Sequence, residues 1–266
     1  VKGRVLIIAG SDSGGGAGIQ ADIKAVTALD GYAMTAITAL TAQDTRGVHG
    51  VLPVPLDFIR QQIRLVLDDL GADAVKTGML ATSDVIETVA AGIAALGGRV
   101  PIVVDPVMVA KGGHALLDPH SVGTVTTRLL PLADLLTPNA PEAEALTGLP
   151  VRDLDSMRAA AAKLRELGAK AVLMKGGHID GAEVTDLLVT AAGEHVWASP
   201  RVETRHTHGT GCTLASAIAC GLAQGLGMAD SVDRARRYVG EALRTAPGYG
   251  HGHGPLNHSH TVRPFP

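Results

Sequence analysis

The sequence predicts an α/β fold with a mostly parallel central sheet and helices on both of its faces. Three observations carry this. Short unbroken apolar runs, such as Arg4–Gly10 (RVLIIAG), suit strands buried on both sides. Segments of helical spacing alternate with them, as crossover connections between parallel strands require. Glycine-rich turns mark the junctions, and with aromatics at only 2% of the chain the layers must pack closely through small side chains.

Taken in order, the first strand, Arg4–Gly10, runs into the loop Ser11–Gly18 (SDSGGGAG) and a helix over Ile19–Leu29. Strand, glycine loop and helix form a ligand-cradling arrangement, or simply a tight turn. The loop lacks a Gly-Lys-Ser/Thr ending, and a G-x-G-x-x-G frame fails at Ile19. Residues 33–44 read as one further strand. A looser stretch with Pro53 and Pro55 precedes an amphipathic helix, Leu56–Leu70, stopped by Gly71. Ala74–Leu80 is strand, Ser83–Leu96 helix, and Pro101–Pro106 strand, with Gly112-Gly113 marking a loop beyond it. Ala133–Asn139 is the next strand. Pro141 then opens a helix with Glu142 and Glu144 in its first turn and Gly148 as its stop. A helix over Ser156–Leu167, a strand over Ala171–His178 and a hairpin pairing Val184–Val189 with His195–Ala198 follow. A last helix spans Ser231–Ala246. No linker or repeat divides the chain, so residues 1–266 are expected to form a single domain.

Composition excludes several classes. With 23 Lys+Arg against 26 Asp+Glu and no long basic cluster, the chain is no candidate for nucleic acid. No apolar run approaches a membrane span, and the apolar part of the N-terminal stretch is too short for a secretory signal. Cys212 and Cys220 are the only cysteines. Eight helical positions separate them by roughly 12 Å, too far for a disulfide, which points to a reducing cytoplasm.

Chemistry is expected at the carboxyl ends of the strands, where open α/β sheets bind ligands. Asp12, Gln43, Asp105, Asn139 and Lys175 fall there. Each taken alone reads as an ordinary turn or cap residue. Together they make a polar rim on which Lys175 could meet a phosphate, while Asp105 with Glu142 or Asn139 could hold Mg²⁺. The stretch Thr207–Thr213 (THGTGCT) stands out further. Its glycines precede a small-residue helix whose first N–H groups form an anion site, and Cys212 sits in that first turn, where the dipole favours a thiolate. A glycine loop entering a core helix, with Cys212 as a small hydrophobe, is the plainer reading of the same residues.

An ordered set of motifs resembles one family. Gly10-Ser11-Asp12, Gly15–Asp22 (GGAGIQAD), Thr38–Gln43 (TALTAQ), Lys76–Leu80 (KTGML), Asp105–Met108 (DPVM), Thr137–Glu142 (TPNAPE), Leu173–His178 (LMKGGH), Thr207–Thr213 and Gly252–Leu256 (GHGPL) are similar to the hydroxymethylpyrimidine/phosphomethylpyrimidine kinases of thiamin biosynthesis. The resemblance implies a ribokinase-like fold, a homodimer, and Mg²⁺-dependent phosphorylation by ATP of a pyrimidine hydroxymethyl group and then of its monophosphate. It implies that Gln43 reads the ring, that Gly10, Met79 and Val107 wall the pocket, and that Asp22 lies near the substrate. Asn139, Glu142, Lys175 and Thr207 would face ATP and metal, and Gly209, Thr210 and Gly211 would hold the transferring phosphoryl group. Cys212 stands where sugar kinases of the superfamily carry a general-base Asp, so it is expected either to act as the base or to shape the site. Two positions depart from the pattern: Ser13-Gly14 where Pro-Ser is usual, and Asp44 where Asn is expected. A pyridoxal kinase of the same fold, trapping an aldehyde on Cys212 as a hemithioacetal, is the alternative; a non-catalytic ligand-binding module is a third. The histidine-rich tail, His251 to His260, reads as the family's closing segment and not as a metal site.

Overall fold

The computed structural model describes residues 2–110 and 113–263, so Gly112 of the expected loop pair lies outside the described residues. An eight-stranded sheet runs through the molecule in the order β10-β9-β8-β7-β6-β5-β1-β2. The strands are β1 (Arg4–Ala9), β2 (Tyr32–Ile37), β5 (Ala74–Thr77), β6 (Ile102–Val104), β7 (Leu135–Leu136), β8 (Val172–Met174), β9 (Glu183–Thr190) and β10 (Gly193–Pro200). From β2 to β8 all neighbours are parallel. The β9–β10 hairpin closes one edge antiparallel, on the two-residue turn Ala191-Ala192.

Alternation along each strand fills two cores. Leu6 and Ile8 point to one face, and Val5, Ile7 and Ala9 to the other; Val104 and Val103, and Leu136 and Leu135, divide the same way. With both faces covered there is no polar side for the strands to show, hence their unbroken apolar runs. On the first face pack α2 (Leu56–Asp69), α3 (Ser83–Ala94), α5 (Ala140–Thr147) and α6 (Leu154–Glu166). On the second pack α1 (Gly18–Ala28), α7 (Thr210–Ala223) and α8 (Met228–Arg244). Each fully buried Ile or Leu stabilises this arrangement by about 1.5–3 kcal/mol.

The expected strand over residues 33–44 is corrected into two. At Thr38 the chain leaves the main sheet: its N–H donates to the Ala9 carbonyl and its hydroxyl to that of Met79. It continues as β3 (Ala39–Gln43), which pairs antiparallel with β4 (Val48–Pro53) in a separate two-stranded sheet, where a looser stretch was expected. Between Pro119 and Leu132 the chain forms short helical turns, including the three-residue α4 (Val122–Thr124), that periodicity did not reveal.

Strand order reverses beside β1: the chain moves first to β2 on one side and later to β5 and beyond on the other. A crevice opens at such a switch point, outside the strands' carboxyl ends. The loops after β1, β5, β6 and β8 all empty into it.

Candidate active site

That crevice is a cleft of about 600 Å³. Its middle is the turn into α7. Gly209 is the N-cap in the left-handed region, at φ +85°, and a Cβ there would fall onto the Gly16 carbonyl oxygen. The two glycine loops therefore touch backbone to backbone, which only glycine at 209 permits. Gly211 and Cys212 follow in the first turn, where the helix offers their N–H groups no partner. Thr207 stabilises the turn by accepting the Thr210 hydroxyl at 3.0 Å.

One end of the cleft is lined by Gly10, Asp12, Thr41, Gln43, Met79 and Val107. Asp12 organises it: its carboxylate accepts the N–H groups of Gly14, Gly16 and Ala17 at 2.8–2.9 Å. Asp44, the departure next to Gln43, is occupied with its own turn, accepting from the N–H groups of Arg46 and Gly47.

The other end centres on Lys175. Its ammonium lies 2.9 Å from Asp105 and 3.7 Å from Glu142. Thr137 donates its hydroxyl to Asp105 at 3.1 Å. Glu142 closes a capping box with Asn139 at the start of α5, so Asn139 meets the cleft with its side-chain oxygen already engaged. Burial pushes the Glu142 carboxyl up to about 7; Lys175 opposes this and Asp105 adds to it. Two buried carboxylates drawn to one cation are the donor set that Mg²⁺ takes alongside phosphate oxygens, and the Lys175 ammonium stands where such a charge belongs. Beyond it, Val184, Val202, Val239 and Leu243 make an apolar slot.

Asp22 requires correction. It lies beneath the cleft wall, fully buried, and its oxygens each accept from the Lys76 ammonium at 2.9 Å, one also from the Ser216 hydroxyl at 2.7 Å. A group sealed in this way cannot touch a ligand. Lys76, equally buried in β5, was not singled out from the sequence, because a lysine in a strand ordinarily reads as exposed. Burial works against its charge, but Asp22 holds its pKa above the ordinary value.

Cys212 lines the cleft, half-buried. Burial pushes its thiol up to about 12, with the charges of Asp22 and Asp105 adding and Lys76 only partly opposing. These surroundings work against the thiolate that the dipole of α7 favours. His208 was also passed over; it lies against Asp12 at 2.9 Å and Gln43 at 3.0 Å.

A phosphate cradle between an apolar slot and a polar, shaped pocket suits transfer of a phosphoryl group between two small molecules, and by class the chain is a small-molecule kinase. It belongs to the phosphomethylpyrimidine kinase family, whose profile matches residues 12–257. The thiamine biosynthesis bifunctional protein ThiED of Geobacter sulfurreducens is 52% identical over 97% of this chain, which spans only 52% of that longer protein. The hydroxymethylpyrimidine/phosphomethylpyrimidine kinase of Streptomyces coelicolor is 49% identical over 96% of this chain and 93% of its own length. Among solved structures, an ADP complex of Bacillus subtilis pyridoxal kinase matches with a TM-score of 0.90 at 37% identity, covering 97% of this chain and 98% of that one.

Proposed function

We propose that the protein uses ATP to phosphorylate 4-amino-5-hydroxymethyl-2-methylpyrimidine, and then the resulting monophosphate to the diphosphate, for thiamin biosynthesis. The observation that carries this is Gln43 in the polar pocket beside the α7 turn, a side-chain amide able to accept and donate at once toward an aminopyrimidine edge. Gly10, Met79 and Val107 wall the ring in. The apolar slot takes the purine of ATP, and Lys175 draws its phosphates toward the α7 turn. There the N–H groups of Gly209, Gly211 and Cys212 neutralise charge on the transferring group, while Thr210, whose N–H donates to the Thr207 carbonyl, holds the turn in shape. Asp105 and Glu142 would hold Mg²⁺, which supplies further charge neutralisation when bound. In the first step the hydroxymethyl oxygen attacks the γ-phosphorus, the bond to the β,γ-bridging oxygen breaks so that ADP leaves, and the alcohol proton passes to an oxygen of the transferred phosphoryl group. In the second step a phosphate oxygen of the monophosphate is the nucleophile. Loose transition states ask little of a base, so Cys212 serves as a neutral thiol that shapes the turn.

Phosphoryl transfer from Mg·ATP, with hydroxymethylpyrimidine, its monophosphate and pyridoxal offered side by side, tests the reading. Turnover of both pyrimidines with pyridoxal far behind is expected. Preferred turnover of pyridoxal would overturn the substrate, and the likeness to pyridoxal kinase makes that arm necessary. No turnover at all would leave a binding module.

We further propose one domain working as a cytoplasmic homodimer. Leu40, Val51, Leu52 and Phe58 are large, apolar and exposed around the β3–β4 hairpin, a patch suited to a second copy. Sedimentation of wild type should give a dimer, and Leu52→Lys a shift toward monomer.

A further inference from the structure

Three polar side chains meet in the pocket that holds Gln43. His208 Nε2 lies 2.9 Å from Asp12 Oδ2 and 3.0 Å from Gln43 Nε2, the amide nitrogen. One ring nitrogen thus faces two partners, and it carries at most one proton. Asp12 decides how that proton is used. Against the effect of burial, its bonds from His208 and from the N–H groups of Ala17 and Gly14 hold its carboxyl below the usual range. An ionised carboxylate only accepts, so His208 donates Nε2–H to Asp12.

With that nitrogen protonated, the Gln43 amide cannot also donate to it. The amide must therefore be turned by a half-turn from that orientation, presenting its oxygen to His208 and carrying its NH₂ on the far side. Oxygen and nitrogen exchange places by a half-turn with no change of shape, so the hydrogen-bonding partner alone makes the choice. The imidazole is in turn fixed. A Cβ on Gly16 would come within 2.6 Å of His208 Cδ2, and the His208 backbone N–H donates to the Gly254 carbonyl.

The geometry points to His208 as the residue that decides which way round the substrate ring enters, an inference that rests on the pyrimidine-kinase reading. An amide grips a 4-aminopyrimidine through two bonds, its oxygen accepting from the 4-amino group and its NH₂ donating to N3. In that ring the carbon bearing the amino group lies between N3 and the carbon bearing the hydroxymethyl. When the amide oxygen is on the His208 side, the 4-amino group and the neighbouring hydroxymethyl lie on that side too. His208 leads directly into Gly209–Cys212, so the alcohol is carried toward the anion-binding turn. The reversed amide would exchange N3 with the amino group and point the alcohol away. His208 is thus a positioning residue, acting through Gln43.

The test compares the 4-amino substrate with its 4-oxo counterpart, in which N3 carries the hydrogen and position 4 accepts. Wild type is expected to favour the 4-amino compound in kcat/KM by about a hundredfold or more, as a site built to hydrogen-bond its substrate does. In His208→Ala the amide is free to turn, and the preference should shrink at least about tenfold while KM for ATP stays within about twofold. Nitrogen-15 NMR of the histidines in the wild-type chain gives a second reading that needs no variant: His208 Nε2 should carry a proton. An unchanged preference in a folded His208→Ala, or an unprotonated Nε2 in wild type, overturns the inference. Failure of wild type to phosphorylate either pyrimidine would instead overturn the function, and the NMR result distinguishes the two.

Discussion

Removing the Cys212 thiol separates two accounts of the chemistry. As a general base, Cys212 would first have to lose its proton. With burial holding its thiol near 12, only about three molecules in 10⁵ carry the thiolate at about pH 7.5. Reaching that state costs about 6 kcal/mol, at about 1.36 kcal/mol per pKa unit. A positioned base returns about 10²–10⁴ in rate, or roughly 3–5 kcal/mol, so the deprotonated route loses overall. Cys212→Ala is therefore expected to keep kcat within about tenfold of wild type, and Cys212→Ser closer still. Ultraviolet difference spectra between wild type and Cys212→Ala, followed through an alkaline titration, should show no thiolate until well above about pH 10. A thiolate with a midpoint below about 9, together with a fall in kcat of more than about 10³, would refute the reasoning and restore Cys212 as the base.

Other expectations follow from the same contacts. Lys76→Met strands the Asp22 carboxylate in the core and should cost about 3–5 kcal/mol by urea unfolding, most of it recovered in the Lys76→Met, Asp22→Leu double variant. Gly209→Ala meets both the left-handed backbone and the Gly16 carbonyl, and a loss of about 2–3 kcal/mol should appear as a fall in Tm of about 5–10 °C together with loss of phosphoryl transfer. Lys175→Ala should raise KM for ATP and lower kcat, together about 10² or more in kcat/KM for ATP, with KM for the pyrimidine little changed. His258, buried against Tyr238, has its pKa lowered from 6.5 to about 4 by burial and by Lys24. Its neutral form is the folded one, so its contribution is complete above about pH 6.5 and is lost as pH falls through about 4. Urea unfolding should show up to about 3 kcal/mol of acid sensitivity across that window, absent in His258→Gln.

Much of the sheet was legible because strands buried on both faces leave an unbroken apolar signature, as in β1 and β8. The hairpin was not. Every residue of β4 after Val48 is exposed, so Val51 and Leu52 carry no burial period to distinguish them from a loop. The break at Thr38 depends on carbonyls of Ala9 and Met79, contributed by the end of β1 and the loop after β5. Periodicity reports which face a residue presents, and it is silent where the chain leaves the sheet that defines the faces.

The site shows a sharper form of the same limit. Residues that line the cleft could be found from type and place, since Gln43 ends β3 and Asp105 and Lys175 directly follow β6 and β8. The pairings through which one residue works on another could not. Lys76 and Asp22 lie 54 positions apart, and each alone looks like a surface charge. Asp12 and His208 are separated by 196 positions and pair only because Gly16 and Gly209 let the two glycine loops touch. A Cβ at either position would part Asp12 from His208 and release the Gln43 amide. The glycines that shape the α7 turn therefore also set the hydrogen bonds of the pocket beside it, so on the proposed function binding the phosphoryl group and orienting the alcohol that receives it would depend on one junction.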